Sequence, residues 1–289
     1  MAEPVERFTD EQVASFHRDG FLIVEEGLIS DRALERLRER YLPLFDGEYE
    51  TGIKPDEVNW VKGRDPDERT RQLCNAWKSD TVIAAQVLSA RIGRLAAQLM
   101  GYDGVRILQD NVLWKPPGTK AIGFHQDGSY ADYLVPPEMV TCWMTLHETE
   151  ADAGPIAYVR GSNAWGVSRP SRTQFHAPDD WLAGVRDAQP PDAEIDVVPV
   201  VVKAGGGAFH HNAVWHGSEP NRSGTVARMG LVSHMLPSNA RFHESNVDLN
   251  YSRYRRHGDL SMDESFFPVL WDRDGYRTPW LAELPDIDR

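Results

Sequence analysis

The middle of this chain contains the stretch Lys115-Pro-Pro-Gly-Thr-Lys-Ala-Ile-Gly-Phe-His125-Gln-Asp127-Gly-Ser-Tyr130, from which a fold can be inferred. On an extended strand, residues two positions apart point to the same side, so His125 and Asp127 can hold one metal ion. A third ligand must come from a distant segment, and His216 in Trp215-His216-Gly217-Ser218 is the candidate. A closed β scaffold brings such segments together. Two imidazoles and one carboxylate leave the opposite face of the metal open.

Other histidines compete for the place of the third ligand. His210 and His211 precede His216 on the same predicted strand, and either is an alternative. Neither is followed by Gly-Ser, so we expect His216 to be the ligand. The histidines without a partner at metal-binding spacing are expected to be packing or surface residues, namely His17, His147, His176, His243 and His257.

Hydrophobic periodicity predicts helices first and strands afterwards. Thr9 and Ser30 are N-cap residues of two predicted helices, and a third is predicted to begin at Ser79 and end before Gly101. Runs rich in β-forming residues follow at 105–114, 140–146, 197–202, 208–215 and 227–235. This order predicts an α+β fold with an antiparallel double-stranded β-helix (jelly roll) core backed by N-terminal helices.

The chain of 289 residues is predicted to be one domain. We expect a helical N-terminal region at 1–101, a jelly-roll core at about 102–237 and a C-terminal extension at about 238–289. The polar segment 46–72 is interpreted as a long loop, and 164–195 as an insertion over the mouth of the barrel. Aromatic residues of this insertion are Trp165, Phe175, His176 and Trp181. The basic segment 250–256 caps the site, forms a subunit contact or is solvated.

Several motifs together resemble the phytanoyl-CoA dioxygenase family of iron(II)/2-oxoglutarate-dependent oxygenases. They are the stretch at 115–130, the segment 215–228 and Phe-His-Arg-Asp-Gly-Phe-Leu-Ile-Val at 16–24. The segments 153–156 and 160–163 resemble the family's Asn-Gly-Pro-Leu…Pro-Gly-Ser-His connection. Three positions depart from that pattern, namely Ala153, Arg160 and Asn163. The resemblance covers about residues 8–237.

The resemblance implies a set of cofactors and the residues that bind them. Iron(II) would be held by His125, Asp127 and His216, with 2-oxoglutarate as cosubstrate and dioxygen as oxidant. Arg228 matches the arginine that binds the far carboxylate of 2-oxoglutarate. Ser218 matches a second contact to that carboxylate, and Trp143 matches a tryptophan near the cosubstrate pocket.

The segment between the last two strands allows a separate estimate of where Arg228 lies. Gly217-Ser-Glu-Pro-Asn-Arg-Ser-Gly224 is typical of a turn. An antiparallel hairpin folded about Arg222 places His216 opposite Arg228, where cross-strand side chains are about 5 Å apart. Arg222 is the alternative partner for the carboxylate, but we expect it at the exposed tip of the turn. His234 shares the face of Arg228 and lines the pocket or packs in the core.

Further polar residues are candidates for lining the site. Gln109 and Asn111 share one face of their strand, and polar side chains directed into a small barrel need hydrogen-bond partners. They therefore bind cosubstrate or substrate, unless this face is the solvent side. Tyr130 follows Asp127 by three residues and is expected to orient that carboxylate or to line the entrance.

The predicted function is oxidation of a small molecule. Related halogenases have a small residue in place of the carboxylate ligand, so Asp127 favours hydroxylation, or oxidative cyclisation or desaturation. We expect a secondary metabolite as substrate. Two alternatives stay open: a non-redox, cupin-like metal enzyme such as an isomerase or hydrolase, and a non-catalytic binding protein on the same fold.

Charge and cysteine content exclude several classes of partner. The net charge of −13 argues against nucleic acid and against an anionic membrane surface. Two cysteines provide no disulfide framework, which predicts a cytoplasmic protein. The oligomeric state cannot be read from the sequence.

Overall fold

The structure is a computed structural model that describes residues 3–169 and 176–288. Phe175 of the predicted insertion lies outside these residues. The α-helices within them are α1 (Asp10–Asp19), α2 (Asp31–Phe45), α3 (Thr81–Val87), α4 (Ala90–Met100) and α5 (Ala183–Ala188). No helix in the described part of the chain is long and apolar enough to cross a lipid bilayer.

The described residues contain fourteen strands, and most of them lie after residue 100. They are β1 (Phe21–Val24), β2 (Glu57–Val58), β3 (Arg71–Cys74), β4 (Gly104–Lys115), β5 (Ile122–His125), β6 (Leu134–Val135), β7 (Val140–Thr145), β8 (Ile156–Val159), β9 (Val197–Pro199), β10 (Gly207–His211), β11 (His216–Ser218), β12 (Arg228–Pro237), β13 (Arg241–Phe242) and β14 (Val269–Asp272).

Two antiparallel sheets face each other, as expected for an α+β fold. The larger sheet has the order β1-β10-β7-β12-β4-β3-β2, with β14 beside the first residues of β4. The smaller sheet has the order β5-β11-β8-β9, and β13 pairs with β6 in a separate ladder. Side chains alternate along each strand, so each sheet has one face toward the other sheet and one face away from it.

Helices α1–α4 cover the outer face of the larger sheet. Cys142 and Met144 of β7 point toward them, whereas the alternating residues Thr141 and Trp143 point toward the smaller sheet. The helical side of this core includes Leu34, Leu37, Ile83, Val87, Ile92, Leu95 and Leu99. Helices therefore back the larger sheet and leave its inner face for the cavity.

Two of the three predicted N-cap residues, Thr9 and Ser30, cap a helix in the structure, and Ser79 does not. Thr9 accepts a hydrogen bond from the Gln12 backbone, and α1 ends at Gly20 with a φ of 84°. The predicted helix after Ser79 is instead two helices, α3 and α4. Asp80 caps α3 by accepting hydrogen bonds from two backbone N–H groups, and Ser89 precedes α4. The carboxylate is the stronger cap because it satisfies both donors.

One loop prediction and one strand prediction were wrong in ways that matter for the cavity. The segment 46–72 contains β2 and the start of β3, which extend the larger sheet beyond β4. The run 208–215 is not one strand, because β10 ends at His211 and the chain crosses to the smaller sheet before His216. At this crossing, the Ala213 backbone N–H donates to His211 Nδ1, which stabilises a turn.

The insertion and the C-terminal segment also differ from expectation. Trp181 and Leu182 of the insertion pack on the outer face of the smaller sheet, against Phe124 and Trp215. The expectation that the insertion lies over the mouth of the barrel was wrong for this part, whereas residues 166–168 contact the segment that holds Asp127, and His176 lines the cavity. The C-terminal segment contributes β14 to the larger sheet.

Tyr41 provides a test of how α2 is held on the sheet. Its buried hydroxyl shares its one proton between the backbone carbonyls of Leu113 and Gly230 and accepts the Gly230 N–H at 2.9 Å. We expect Tyr41→Phe to lower the free energy of unfolding by about 1–3 kcal/mol, because these backbone groups lose their partner. Urea unfolding measures the change. Tyr276→Phe removes a hydroxyl that donates to Glu264 at the exposed surface and is the matched control, so an equal loss in both variants would contradict the interpretation.

Candidate active site

A cavity of about 510 Å³ lies between the two sheets. The smaller sheet contributes His125 and His216 to its wall, and the larger sheet contributes Thr141, His210 and His234. Further lining residues include Glu57, Cys74, Gln109, Asn111, Trp143, Ser218, Arg228, Asp248 and Tyr251. Strands that are distant in sequence therefore direct polar side chains into one volume.

His125, Asp127 and His216 form a group whose ligand atoms all lie within 4.8 Å of one another. His125 and His216 are cross-strand partners on β5 and β11, and their ring centroids are 4.2 Å apart. Asp127 Oδ1 is 3.7 Å from His125 Nε2 and 3.5 Å from His216 Nε2. These are the three residues that the sequence predicted as ligands.

Gly217 explains why the smaller sheet can hold these two histidines so close together. Between His216 and Ser218 the register of β11 against β5 shifts, and the two strands approach closely. A Cβ atom at position 217 would lie 2.5 Å from the Phe124 ring, which is shorter than any van der Waals contact. Glycine is therefore required between the histidine and the serine.

Both imidazoles present an unprotonated Nε2 to the shared space. His125 Nδ1 is 3.0 Å from the Gly123 carbonyl and His216 Nδ1 is 3.1 Å from the Val214 carbonyl. A carbonyl only accepts, so the proton of each neutral ring is on Nδ1. Burial, together with a neighbouring histidine, lowers the pKa of His125 to about 3 and of His216 to about 4. The rings are thus neutral near pH 7, as metal ligands must be.

The other oxygen of Asp127 is held by the larger sheet. Thr141 Oγ1 donates to Asp127 Oδ2 at 2.8 Å, and His210 Nε2 lies 3.1 Å from the same oxygen. Burial opposes the charged carboxylate, but His216, His234 and the His210 hydrogen bond outweigh it and hold the pKa of Asp127 well below its usual value. Asp127 is therefore ionised, with Oδ1 directed at the two imidazoles.

His210 lies next to the carboxylate and not among the candidate ligands. Its Nδ1 is 3.0 Å from the Tyr158 hydroxyl, and burial raises the pKa of that phenol well above its usual value. Tyr158 is therefore protonated and donates to Nδ1, so the His210 proton is on Nε2 and is donated to Asp127. His211, on the opposite side of β10, contacts a backbone N–H at the crossing.

A second chain of hydrogen bonds leads from Asp127 to Asn111. Thr141 uses its proton on Asp127, so His234 Nδ1, 2.9 Å away, donates to Thr141 Oγ1. His234 Nε2 then accepts from Asn111 Nδ2 at 3.0 Å. This order leaves the Asn111 Oδ1 acceptor, which has no hydrogen-bond partner among the described residues.

Arg228 is buried beside the same cavity, but not by the predicted hairpin. Its cross-strand partner on β4 is Lys115, while His216 pairs with the smaller sheet, so the predicted register was wrong. Burial lowers the pKa of Arg228 to about 10, which leaves it charged at neutral pH. Its Nε has no hydrogen-bond partner in the part of the chain that the structure describes. Arg222, by contrast, is mostly exposed and pairs with Glu219 at 2.7 Å.

Lys115 is a functional candidate that sequence reasoning missed. It is fully buried, and its Nζ donates to Ser218 Oγ at 2.8 Å and to the Glu219 carbonyl. Burial and the neighbouring Arg228 lower the pKa of Lys115 well below its usual value. Lys115 therefore joins the two sheets and uses an acceptor lone pair of Ser218, whose hydroxyl proton stays available to the cavity.

The remaining predicted residues all line the cavity. Trp143 is buried and belongs both to the inner core and to the cavity wall, with Arg228 5.9 Å from its ring centroid. Gln109 and Asn111 face the cavity and not solvent, and Gln109 accepts from the Tyr251 hydroxyl. Tyr130 is 47% exposed and lies at the cavity entrance.

Thr141 was not predicted as a site residue and His210 was considered only as an alternative metal ligand, although a signal for both was present. On β7 and β10 they occupy alternate positions relative to Cys142 and Phe209, which face the helices. Period-two alternation alone would have placed both on the inner face. Their contact with Asp127 could not be anticipated, because it depends on how the two sheets are stacked.

The donor set fits a divalent transition metal. Two neutral imidazole nitrogens and one ionised carboxylate oxygen converge from one side, and each ligand is oriented by a further hydrogen bond. The side of the ligand group that carries no ligand faces the cavity. The buried positive charge of Arg228 lines the same cavity and favours binding of an anion there. The residues present therefore suit a metal together with an anionic organic ligand.

His210 and His211 offer a matched pair to test this arrangement. We expect His210→Ala to weaken iron(II) binding about 10–100-fold while one ion still binds, because the carboxylate loses a hydrogen bond that orients it. His216→Ala, which removes a ligand, should abolish binding, and His211→Ala should leave it unchanged. Anaerobic competition with a fluorescent chelator measures the affinities. Loss of all binding in His210→Ala would instead make His210 a ligand.

Comparison with known proteins agrees with this site. The family model described as phytanoyl-CoA dioxygenase (PhyH) matches residues 16–230. No curated protein sequence matches the chain.

Solved structures with a similar fold include several enzymes. The non-heme alpha ketoglutarate dependent carbocyclase SnoK from nogalamycin biosynthesis has a TM-score of 0.71 and 23% identity, over 93% of this chain and 99% of that one. The epimerase SnoN, in complex with Fe³⁺, alpha ketoglutarate and nogalamycin RO, has a TM-score of 0.67 and 19% identity, over 90% and 98%. EctD from S. alaskensis with 2-oxoglutarate and 5-hydroxyectoine has a TM-score of 0.65 and 18% identity, over 88% and 86%. These likenesses show a shared fold.

Proposed function

Because the chain belongs to the phytanoyl-CoA dioxygenase family, we propose that it is an iron(II)- and 2-oxoglutarate-dependent oxygenase acting on a small molecule. The observation that carries the proposal is the convergence of His125, Asp127 and His216 within 4.8 Å at the wall of a cavity that also buries Arg228. SnoN and EctD, which share the fold, have been determined with iron and with this cosubstrate.

In this proposal His125 and His216 bind iron through Nε2, and Asp127 binds it through Oδ1. The hydrogen bonds of Nδ1 to backbone carbonyls keep each ring in the orientation that directs Nε2 at the ion. Thr141 and His210 hold the second carboxylate oxygen, so Asp127 is confined to one coordinating oxygen.

Arg228 binds the distal carboxylate of 2-oxoglutarate. A guanidinium can form two parallel hydrogen bonds to a carboxylate, and burial strengthens them because water does not compete. Ser218 donates its hydroxyl proton to the same carboxylate, while Lys115 holds the Ser218 oxygen in place. Trp143 closes the side of this subsite and excludes water from the guanidinium.

The bound iron, with 2-oxoglutarate and dioxygen, supplies the oxidising power, and the protein supplies position and a dry surrounding. The apolar wall formed by Leu113, Ile122, Ile156 and Val232 keeps water away from the reacting carbon. Asp127 occupies the ligand position that a halide would need, which favours hydroxylation, oxidative cyclisation or desaturation over halogenation.

The substrate is proposed to be a secondary metabolite. SnoK is a carbocyclase of nogalamycin biosynthesis, and AviO1 from Streptomyces viridochromogenes Tue57 shares the fold with a TM-score of 0.55. The cavity of about 510 Å³ is within the range of drug-sized ligands. We further propose that the two sheets form a double-stranded β-helix and that residues 1–289 are one domain.

The direct test is oxygen uptake and succinate formation by protein loaded anaerobically with iron(II). With 2-oxoglutarate present, we expect slow oxygen consumption that requires both iron and 2-oxoglutarate and increases with one fraction of a metabolite extract. Asp127→Ala should lose iron retention and turnover, because two imidazoles alone hold the ion weakly. Asp132→Ala, an exposed carboxylate of the same loop, is the control and should retain both.

Two results would contradict the proposal. Full turnover by Asp127→Ala would remove the carboxylate from the metal site. Absence of both oxygen uptake and an iron(II)–2-oxoglutarate absorption band, in protein that binds iron, would favour a non-redox metal enzyme.

Arg228 and Arg222 separate cosubstrate binding from metal binding. We expect Arg228→Ala to weaken 2-oxoglutarate binding at least about 100-fold with iron binding retained, because truncation removes a buried charge-assisted pair worth roughly 3 kcal/mol or more. Arg222→Ala, at an exposed position of the same connection, should bind 2-oxoglutarate like the unmodified protein. Anaerobic titration of the absorption band measures both. The reverse ranking of the two variants would assign the carboxylate to Arg222.

A further inference from the structure

The cavity continues well away from the candidate metal site, along the inner face of the larger sheet. Glu57 on β2 is the cross-strand partner of Cys74 on β3, and Cys74 is the partner of Asn111 on β4. Asn111 in turn lies opposite Val232 on β12, and all four line the cavity. Neighbouring strands are about 4.8 Å apart, so Glu57 lies roughly 14 Å across the sheet from β12.

The far end of the cavity is acidic. Glu57 and Asp248 both line it, and Asn250 connects them by donating its amide to Glu57 while its backbone N–H donates to Asp248 Oδ1. Neither carboxylate forms an ion pair with a residue in the described ranges 3–169 and 176–288. The nearby Arg253 is exposed and contacts Asn250 from the solvent side.

The pKa of Glu57 is raised, as expected for a carboxylate whose negative charge is not fully balanced by a nearby cation. Burial raises the pKa of Glu57, and Asp248 and Asp56 raise it further, while the hydrogen bond from the Cys74 thiol and the charge of Arg253 act in the opposite direction. Asp56 itself is neutralised by Lys78 at 2.7 Å. Two carboxylates beside one half-buried space therefore repel each other until a cation lies between them.

Asn111 gives an independent indication of a ligand in the same cavity, at a position beside His234 and two strands from Glu57. Its side chain is about nine-tenths buried, and its Nδ2 is used by His234. Its Oδ1 is a buried acceptor without a hydrogen-bond partner among the described residues, and Asn111 lines the same cavity. A buried acceptor without a donor costs about 1–3 kcal/mol, so a donor from a ligand would recover this free energy.

We propose that the substrate carries a protonated amine, which binds between Glu57 and Asp248, about 10–15 Å from the carbon presented to the metal. The inference rests on the proposed function for the position of that carbon, but not for the binding of the amine. An ammonium group supplies three donors and a positive charge, which suits two carboxylates. A separate donor on the substrate suits the Asn111 oxygen, which lies two strands nearer to the metal site. The apolar residues Leu108, Tyr133 and Met139 line the same cavity and suit a hydrocarbon or ring scaffold.

An amine is favoured over a neutral hydroxyl-rich group by charge. Hydroxyl groups also donate to carboxylates, but they leave two negative charges unbalanced in a half-buried space. With Arg228 committed to the cosubstrate, Glu57 and Asp248 are the surplus charges of the cavity. A cationic substrate balances them and is also attracted by the net charge of −13 of the whole chain.

The test uses dansylcadaverine, an aromatic group joined to a primary amine by a five-carbon chain, and its neutral N-acetyl derivative. Binding to the full-length chain is followed by dansyl fluorescence, with and without iron(II) and 2-oxoglutarate under argon. We expect the amine to bind at least about tenfold more tightly than the acetylated compound, and the difference to shrink with added salt.

Charge-removing variants assign the amine to its site. Glu57→Gln retains an acceptor for the Asn250 amide, so only the charge is lost, and we expect amine affinity to fall about fivefold or more. Asp248→Asn should act in the same direction, and the double variant should bind both compounds equally. Asp259→Asn, which removes an exposed carboxylate, is the control and should leave the affinity unchanged.

Three outcomes would overturn the inference. They are equal affinity for the amine and its acetylated form, no saturable binding of the amine, and unmodified affinity in both Glu57→Gln and Asp248→Asn. A protein that consumes oxygen with 2-oxoglutarate but shows any of these retains the proposed function and loses only the amine site. A protein that binds the amine through Glu57 but neither iron nor 2-oxoglutarate retains the amine site and loses the proposed function.

Discussion

The structure depends on one buried carboxylate that both sheets contact. Asp127 turns one oxygen toward His125 and His216 of the smaller sheet. Its other oxygen accepts hydrogen bonds from Thr141 and His210 of the larger sheet. An ionised carboxylate out of water costs several kcal/mol unless it is hydrogen-bonded or paired, so the two sheets must keep this relative position.

The same constraint orders the interior around the carboxylate. Every donor on Asp127 has a defined second partner, which leaves one consistent proton arrangement from Tyr158 at one end to Asn111 at the other. The helices on the outer face make this arrangement rigid, because their packing holds β7, β10 and β12 in register. Arg228 Nε and Asn111 Oδ1, two buried polar atoms without a hydrogen-bond partner among the described residues, belong to side chains that line the cavity.

Much of the fold was predictable because its signals are local. The Thr9 and Ser30 caps and the β-rich runs near β4, β7 and β12 were predicted correctly from neighbouring residues. The ligand candidates were predictable because His-x-Asp places two side chains on one side of an extended backbone. The strand is shorter than predicted, since β5 ends at His125 and Asp127 begins a 3₁₀ turn, but Gln126 between them is still extended. Predictions that required knowing which strands pair were wrong: the hairpin that placed His216 opposite Arg228, and the single strand at 208–215.

The sequence by itself therefore determined the helices-then-strands order, the three candidate metal ligands and the family, since residue periodicity and short motifs act within a few positions. Only the tertiary structure decided that Lys115 donates a hydrogen bond to Ser218 and that His210 donates one to Asp127. It also decided that Glu57 and Asp248 line the same end of the cavity. These contacts join residues that are many positions apart. They follow from strand order and from the stacking of two sheets, which burial of the whole chain selects and no local pattern encodes.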